Sequence, residues 1–71
     1  MVTTGQQDEL QTPDQVSGWT GIPIETLRYY RKVGIGPASF KLAGRVRYYR
    51  RDVQAWIDAE RAESLVGGPA A

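Results

Sequence analysis

The sequence predicts a small, mainly α-helical domain with one short β-hairpin, in the order helix, helix, hairpin, helix (α-α-β-β-α). Three observations support this prediction. Two stretches with apolar residues at helical spacing flank Gly21. Apolar and basic residues then alternate on both sides of Ala43-Gly44, as in a hairpin. A third stretch with helical spacing follows residue 51.

Length and composition limit the classes of function. A chain of 71 residues makes one small domain with a thin core. It contains no Cys and no His, which excludes a disulfide, a zinc finger, a Cys nucleophile and a His general base. No apolar run approaches the ~20 residues of a membrane span, and the N-terminus does not read as a signal peptide. We therefore expect a cytoplasmic protein without a cofactor, a metal or a membrane partner.

The first helix is predicted from its start signal. In Thr12-Pro13-Asp14-Gln15, the threonine cap and the glutamine three residues after it make a capping box, and the proline suits the first helical position. Val16 and Trp19 are expected to face inward, and Gly21 should end the helix in the left-handed conformation. Residues 1–9 lack periodicity and are predicted to be a flexible arm.

The second helix is predicted over residues 24–33, ending at Gly34. Pro23 precedes it, so the helix should start without a side-chain cap. At 100° per residue, Leu27 and Tyr30 should face the core. The outward sector should hold Glu25, Arg28, Tyr29 and Lys32.

The hairpin is predicted from the alternation around Ala43-Gly44. The expected inward side chains are Phe40, Leu42, Val46 and Tyr48. The expected outward side chains are Lys41, Arg45, Arg47 and Tyr49. A shift of register by one residue would exchange the two faces.

The last helix should start near Arg51 and turn Val53, Trp56 and Ile57 inward. The folded domain is then predicted to span residues 10–63. Residues 64–71 should form a flexible tail.

Charge is the strongest functional signal. Eight of the nine Lys and Arg residues lie between residues 26 and 51, and that segment contains no acid. Such a segment attracts polyanions whatever the net charge, because the local field acts within roughly 10 Å. Four tyrosines lie in the same segment, which favours nucleic acid binding.

Two short helices joined by a glycine turn and followed by a basic hairpin define a winged helix-turn-helix. Its second helix would lie in the DNA major groove, where Arg28 and Lys32 are long enough to reach guanine edges or phosphates. Glu25 could accept from a cytosine amino group. The recognition-helix candidates are Glu25, Thr26, Arg28, Tyr29, Arg31 and Lys32. The wing candidates are Lys41, Arg45 and Arg47.

Four motifs occur in a recognisable order. They are Leu10-x-Thr12-Pro13-x-x-Val16, Gly21-Ile22-Pro23-x-x-Thr26-Leu27, Gly44-Arg45-x-Arg47-Tyr48 and Asp52-Val53-x-Ala55-Trp56-Ile57. Thr26-Leu27-Arg28-Tyr29-Tyr30 with the basic hairpin resembles the DNA-binding part of the MerR superfamily. The full pattern, over roughly residues 10 to 62, is more similar to the small excisionase-like and AlpA-like proteins of phages and mobile elements.

The resemblance implies a protein that binds and bends double-stranded DNA in the cytoplasm of a bacterial host cell. An excisionase, or recombination directionality factor, steers an integrase toward excision, whereas an AlpA-like protein regulates transcription. It further implies an integrase partner and cooperative self-association on DNA. Full MerR regulators add a dimerisation helix and an effector site. Neither is supported here, so no small-molecule ligand is expected.

Other classes of function are weaker. Aromatic residues among arginines also suit single-stranded RNA, although the helix-turn-helix spacing argues against it. A third class of function is a protein-interaction module that docks on an integrase. An enzyme is the weakest class, because carboxylates such as Asp58 and Glu60 lie on a helix surface and no phosphate-binding glycine loop appears.

Overall fold

The computed structural model describes residues 9–68. Within them lie three helices and a three-stranded antiparallel sheet with the strand order β1-β3-β2, so the expected mainly helical class is confirmed. The elements are β1 (Leu10–Gln11), α1 (Pro13–Thr20), α2 (Ile24–Val33), β2 (Phe40–Leu42), β3 (Arg45–Tyr49) and α3 (Arg50–Ser64).

Strand β1 is absent from the predicted order of elements, which is corrected to β-α-α-β-β-α. Leu10 pairs with Tyr49, and Gln11 pairs with Tyr48. The Arg50 amide donates to the Glu9 carbonyl at 2.9 Å and extends this pairing by one residue. Residues 1–8 of the expected flexible arm, and residues 69–71 of the expected tail, lie outside the described residues.

Helix α1 starts as its sequence predicts. The Gln15 amide donates to Thr12 Oγ1 at 3.1 Å, and the Thr12 amide donates to Gln15 Oε1 at 2.9 Å, which completes the capping box. At the other end Gly21 has φ +80°, and its amide donates to the Ser17 carbonyl. Because both ends use contacts within four residues, the boundaries of this helix could be predicted.

Helix α2 follows Pro23, which provides no side-chain cap, as expected. Leu27 is fully buried, and the Tyr30 ring lies 6.2 Å from the Trp56 ring of α3, centroid to centroid. Gly34 ends the helix, and its amide donates to the Tyr30 carbonyl at 2.9 Å. The predicted inward residues of α2 are therefore confirmed.

The register of the hairpin contradicts the predicted inward position of Phe40 and Leu42. Leu42 pairs with Arg45, and Phe40 pairs with Arg47, across the two-residue turn. Directly opposed side chains lie on the same face of a sheet, so Phe40 and Leu42 share the outward face with the two arginines. The predicted inward position of these two residues is wrong, because a turn of two residues dictates this register. Leu42 is accordingly 47% exposed.

The same register puts Lys41 opposite Val46, on the face that carries Tyr48. The prediction that Lys41 shares a face with Arg45 and Arg47 is therefore also wrong, although its side chain is exposed. Tyr49 is on the outward face as predicted, with its ring 5.2 Å from that of Phe40.

The core is small and draws its buried residues from all three helices and from β3. Four residues are fully buried, and partly buried hydrophobic residues pack around them. The buried ones are Val16, Leu27, Tyr48 and Val53; the partly buried ones are Trp19, Ile22, Val46 and Ile57. No helix within residues 9–68 is long and apolar enough to cross a bilayer.

Candidate nucleic-acid interface

Helix α2, strand β3 and the start of α1 line a groove of about 520 Å³. We call it the α2–β3 groove. Four of its lining side chains are arginines, two from the helix and two from the hairpin, and one is an acid. The lining residues are Thr12, Pro13, Asp14, Ile24, Arg28, Arg31, Arg45, Val46 and Arg47. The structure thus brings together predicted site residues from both elements.

Helical spacing explains the α2 side of the groove. Ile24, Arg28 and Arg31 stand at positions i, i+4 and i+7, so they share one face of the helix. That face adjoins the one that buries Leu27, which turns the two arginines toward the hairpin. Ile24 was not a predicted site residue, but this spacing could have indicated it.

A second face of α2 points away from the core. Glu25, Tyr29 and Lys32 have the same i, i+4, i+7 spacing, and all three are exposed; Tyr29 has 57% of its surface accessible. Residues at these positions are 140° to 200° around the helix from Leu27. They form a protruding face that we call the outer face of α2.

Thr26 belongs to neither face. It stands four residues before Tyr30 and seven before Val33, on the third side of the helix, and it is half-buried. The six predicted helix residues therefore separate into two in the α2–β3 groove, three on the outer face and Thr26 apart from both.

The hairpin contributes through β3. Arg45 is exposed beside the turn, whereas Arg47 is half-buried and donates from Nη1 to the Val46 carbonyl at 2.7 Å. Lys41 is not part of the groove lining. Within residues 9–68 neither Arg28, Arg31 nor Arg45 forms an ion pair, so their charges are available to an external anion.

Two other arginines of the basic segment are engaged elsewhere. The Arg50 guanidinium lies 4.1 Å from the Trp19 ring centroid, and the Arg51 guanidinium lies 4.7 Å from that of Tyr49. Such cation–π contacts stabilise a fold by ~0.5–1 kcal/mol when exposed. The eight basic residues therefore do not all meet on one surface, and four of them line the groove.

Comparisons of the chain with protein-family models, with curated proteins and with solved structures find no match.

Proposed function

We propose that this protein binds double-stranded DNA sequence-specifically as a winged helix-turn-helix, with α2 as the recognition helix and β2–β3 as the wing. The convergence of Arg28, Arg31, Arg45 and Arg47 on one groove carries the proposal. Four like charges facing one space, without ion-paired acids in residues 9–68, repel one another unless a polyanion joins them.

The shape of the groove suits the ridge of a DNA backbone. A helix fills the major groove, which is about 12 Å wide, and a wing reaches the adjacent minor groove. The phosphate chain between the two grooves of DNA must then pass between helix and wing, where the four arginines lie. The outer face of α2 would meet the base edges.

This arrangement divides the contacts into two classes. Lys32 can donate to guanine O6 or N7, and Glu25 can accept from a cytosine amino group. Tyr29, exposed between them, can donate to a base edge or a phosphate. Arg28, Arg31, Arg45 and Arg47 would contact phosphates, which position the protein without reading the sequence.

The biological role rests on the resemblance described above. It supports an excisionase that bends DNA and steers an integrase toward excision in a bacterial host cell, with cooperative self-association on the DNA. The alternative is a short AlpA-like or MerR-like transcriptional regulator. An in vitro recombination assay with the integrase separates the two, because an unchanged ratio of excision to integration would discard the excisionase.

DNA binding itself is tested by selecting a duplex from a random pool and measuring its Kd by fluorescence anisotropy at several salt concentrations. If the four groove arginines neutralise phosphates, log affinity should fall with log salt at a slope of about −3.6. Arg61→Ala is the matched control, because Arg61 is exposed on α3 and is the one basic residue outside the central segment.

Arg28→Ala should weaken the selected and a scrambled duplex alike and reduce the slope by about 1, whereas Lys32→Ala should weaken the selected duplex by ~1–3 kcal/mol more than the scrambled one. Arg61→Ala should leave both affinities unchanged. An affinity that does not depend on salt, or equal losses for Arg28→Ala and Arg61→Ala, would refute the proposed interface. Stronger binding of a single-stranded RNA competitor would favour the alternative hypothesis, that the protein binds RNA.

A further inference from the structure

The edge of β3 that faces α1 is paired over only part of its length. Strand β1 covers Tyr48 and Tyr49, and the Arg50 amide donates to the Glu9 carbonyl. In an antiparallel ladder, alternate residues direct their N–H and C=O groups to the same neighbour. The N–H and C=O groups of Val46 therefore point to the β1 side, like those of Arg50.

No strand continues opposite Val46. In the register of β1, where Gln11 opposes Tyr48, the residue opposite Val46 would be Pro13. A proline has no N–H to donate, and here it begins α1. The ladder therefore stops, which leaves the Val46 amide without a strand partner on this edge, and Val46 is one of the residues that line the α2–β3 groove.

The Val46 carbonyl confirms this orientation, because it accepts from a side chain instead of a strand. Arg47 Nη1 donates to it at 2.7 Å. This hydrogen bond satisfies the carbonyl acceptor at the open edge of β3 and holds the Arg47 guanidinium beside that edge. The remaining unpaired group of Val46 on this edge is therefore a donor, its N–H. The groove that Val46 lines also contains four arginines.

We propose that the α2–β3 groove is a phosphate-binding site in which the Val46 amide donates directly to a phosphate oxygen. Arg28, Arg31, Arg45 and Arg47 supply the charge, and Arg47 also holds the strand edge through its hydrogen bond to the Val46 carbonyl. Open backbone N–H groups at a sheet edge form anion sites of this kind. The proposal deepens the proposed function, since the phosphate can be one of the DNA backbone.

A free phosphorylated molecule is the second source of the same chemistry. The volume of about 520 Å³ is within the range of small-molecule sites, roughly 300–1,000 Å³. Asp14, in the first turn of α1, also lines the groove, and its carboxylate repels any anion there. Asp14→Asn should therefore tighten phosphate binding about fivefold, by removing one like charge.

The test is a ¹⁵N–¹H NMR titration of the labelled full chain, first with sodium pyrophosphate at an ionic strength held constant with chloride, then with duplex DNA. Duplex DNA should shift the Val46 amide resonance downfield and saturably, together with the Nε signals of the groove arginines. The Nε signal of Arg61 should not move. Sodium chloride alone should have no effect on the Val46 amide.

The two sources give different results. A Val46 shift with DNA but not with pyrophosphate assigns the site to the DNA backbone. A shift with both, together with release of labelled DNA by pyrophosphate, shows that free phosphates also occupy the site. In that case Asp14→Asn should tighten pyrophosphate, with Asp58→Asn on α3 as the control.

The proposal is overturned if DNA binds and shifts the signals of the groove arginines while the Val46 amide stays unmoved, a result that would leave the proposed DNA binding intact. If DNA does not bind at all but pyrophosphate shifts Val46, the DNA function fails and the phosphate site stands. If neither ligand shifts Val46, the phosphate site is refuted as well.

Discussion

Gly36→Ala should destabilise the domain more than Gly34→Ala, although the two glycines have nearly the same φ angle. Their φ angles are +81° and +82°. A Cβ at Gly36 would lie 2.7 Å from Tyr30 Cδ2 and 2.9 Å from Tyr30 Cβ, whereas a Cβ at Gly34 would have no such atom within 4 Å. The pair therefore separates backbone strain from steric overlap.

The magnitude follows from the two contributions. An alanine in the left-handed region costs ~1–2 kcal/mol at either position. At Gly36 the overlap adds a further ~1–3 kcal/mol, as in overpacked cores. Rotation of the Tyr30 side chain cannot relieve it, because the Cβ is fixed to α2 and the ring is packed 6.2 Å from Trp56.

Thermal unfolding followed by far-UV circular dichroism measures the difference. In a domain of this size ~1 kcal/mol corresponds to about 4–8 °C in Tm, so Gly36→Ala should melt at least about 4 °C below Gly34→Ala. Tryptophan fluorescence should also change more in Gly36→Ala, since Trp56 is the neighbour of Tyr30. Equal melting temperatures would refute the close approach of Gly36 to Tyr30.

Two further substitutions test the core and the hairpin turn. Leu27→Ala should cost ~2–5 kcal/mol in urea unfolding, because the side chain is fully buried; the exposed Leu65→Ala is its control, and similar losses would mean that α2 is rotated differently. Ala43→Asn should stabilise the protein by about 1 kcal/mol, because Ala43 has φ +53° at a turn position that favours asparagine. An unchanged or lower urea midpoint for Ala43→Asn would contradict the described turn.

The site was partly predictable. The basic segment and the helical spacing pointed to α2 and the hairpin. The helical period grouped Arg28 with Glu25, Tyr29 and Lys32, and only the tertiary structure assigns Arg28 to the groove with Arg31. The groove between the elements was not predictable, since it depends on how β3 docks against α2. The contacts of Arg50 with Trp19 and of Arg51 with Tyr49 also join residues whose proximity in space no local pattern encodes.

The amino-acid sequence alone determined where α1 and α2 begin and end, because the capping box, Pro13, Gly21 and Gly34 act over three or four residues. The turn at Ala43-Gly44 also imposes the faces of the hairpin, once its length of two residues is taken into account. Only the tertiary structure decided that Leu10–Gln11 forms a strand, that the Val46 edge stays open and that four arginines share a groove. These features depend on partners more than thirty residues apart or on the docking of separate elements, and local propensity carries no information about either.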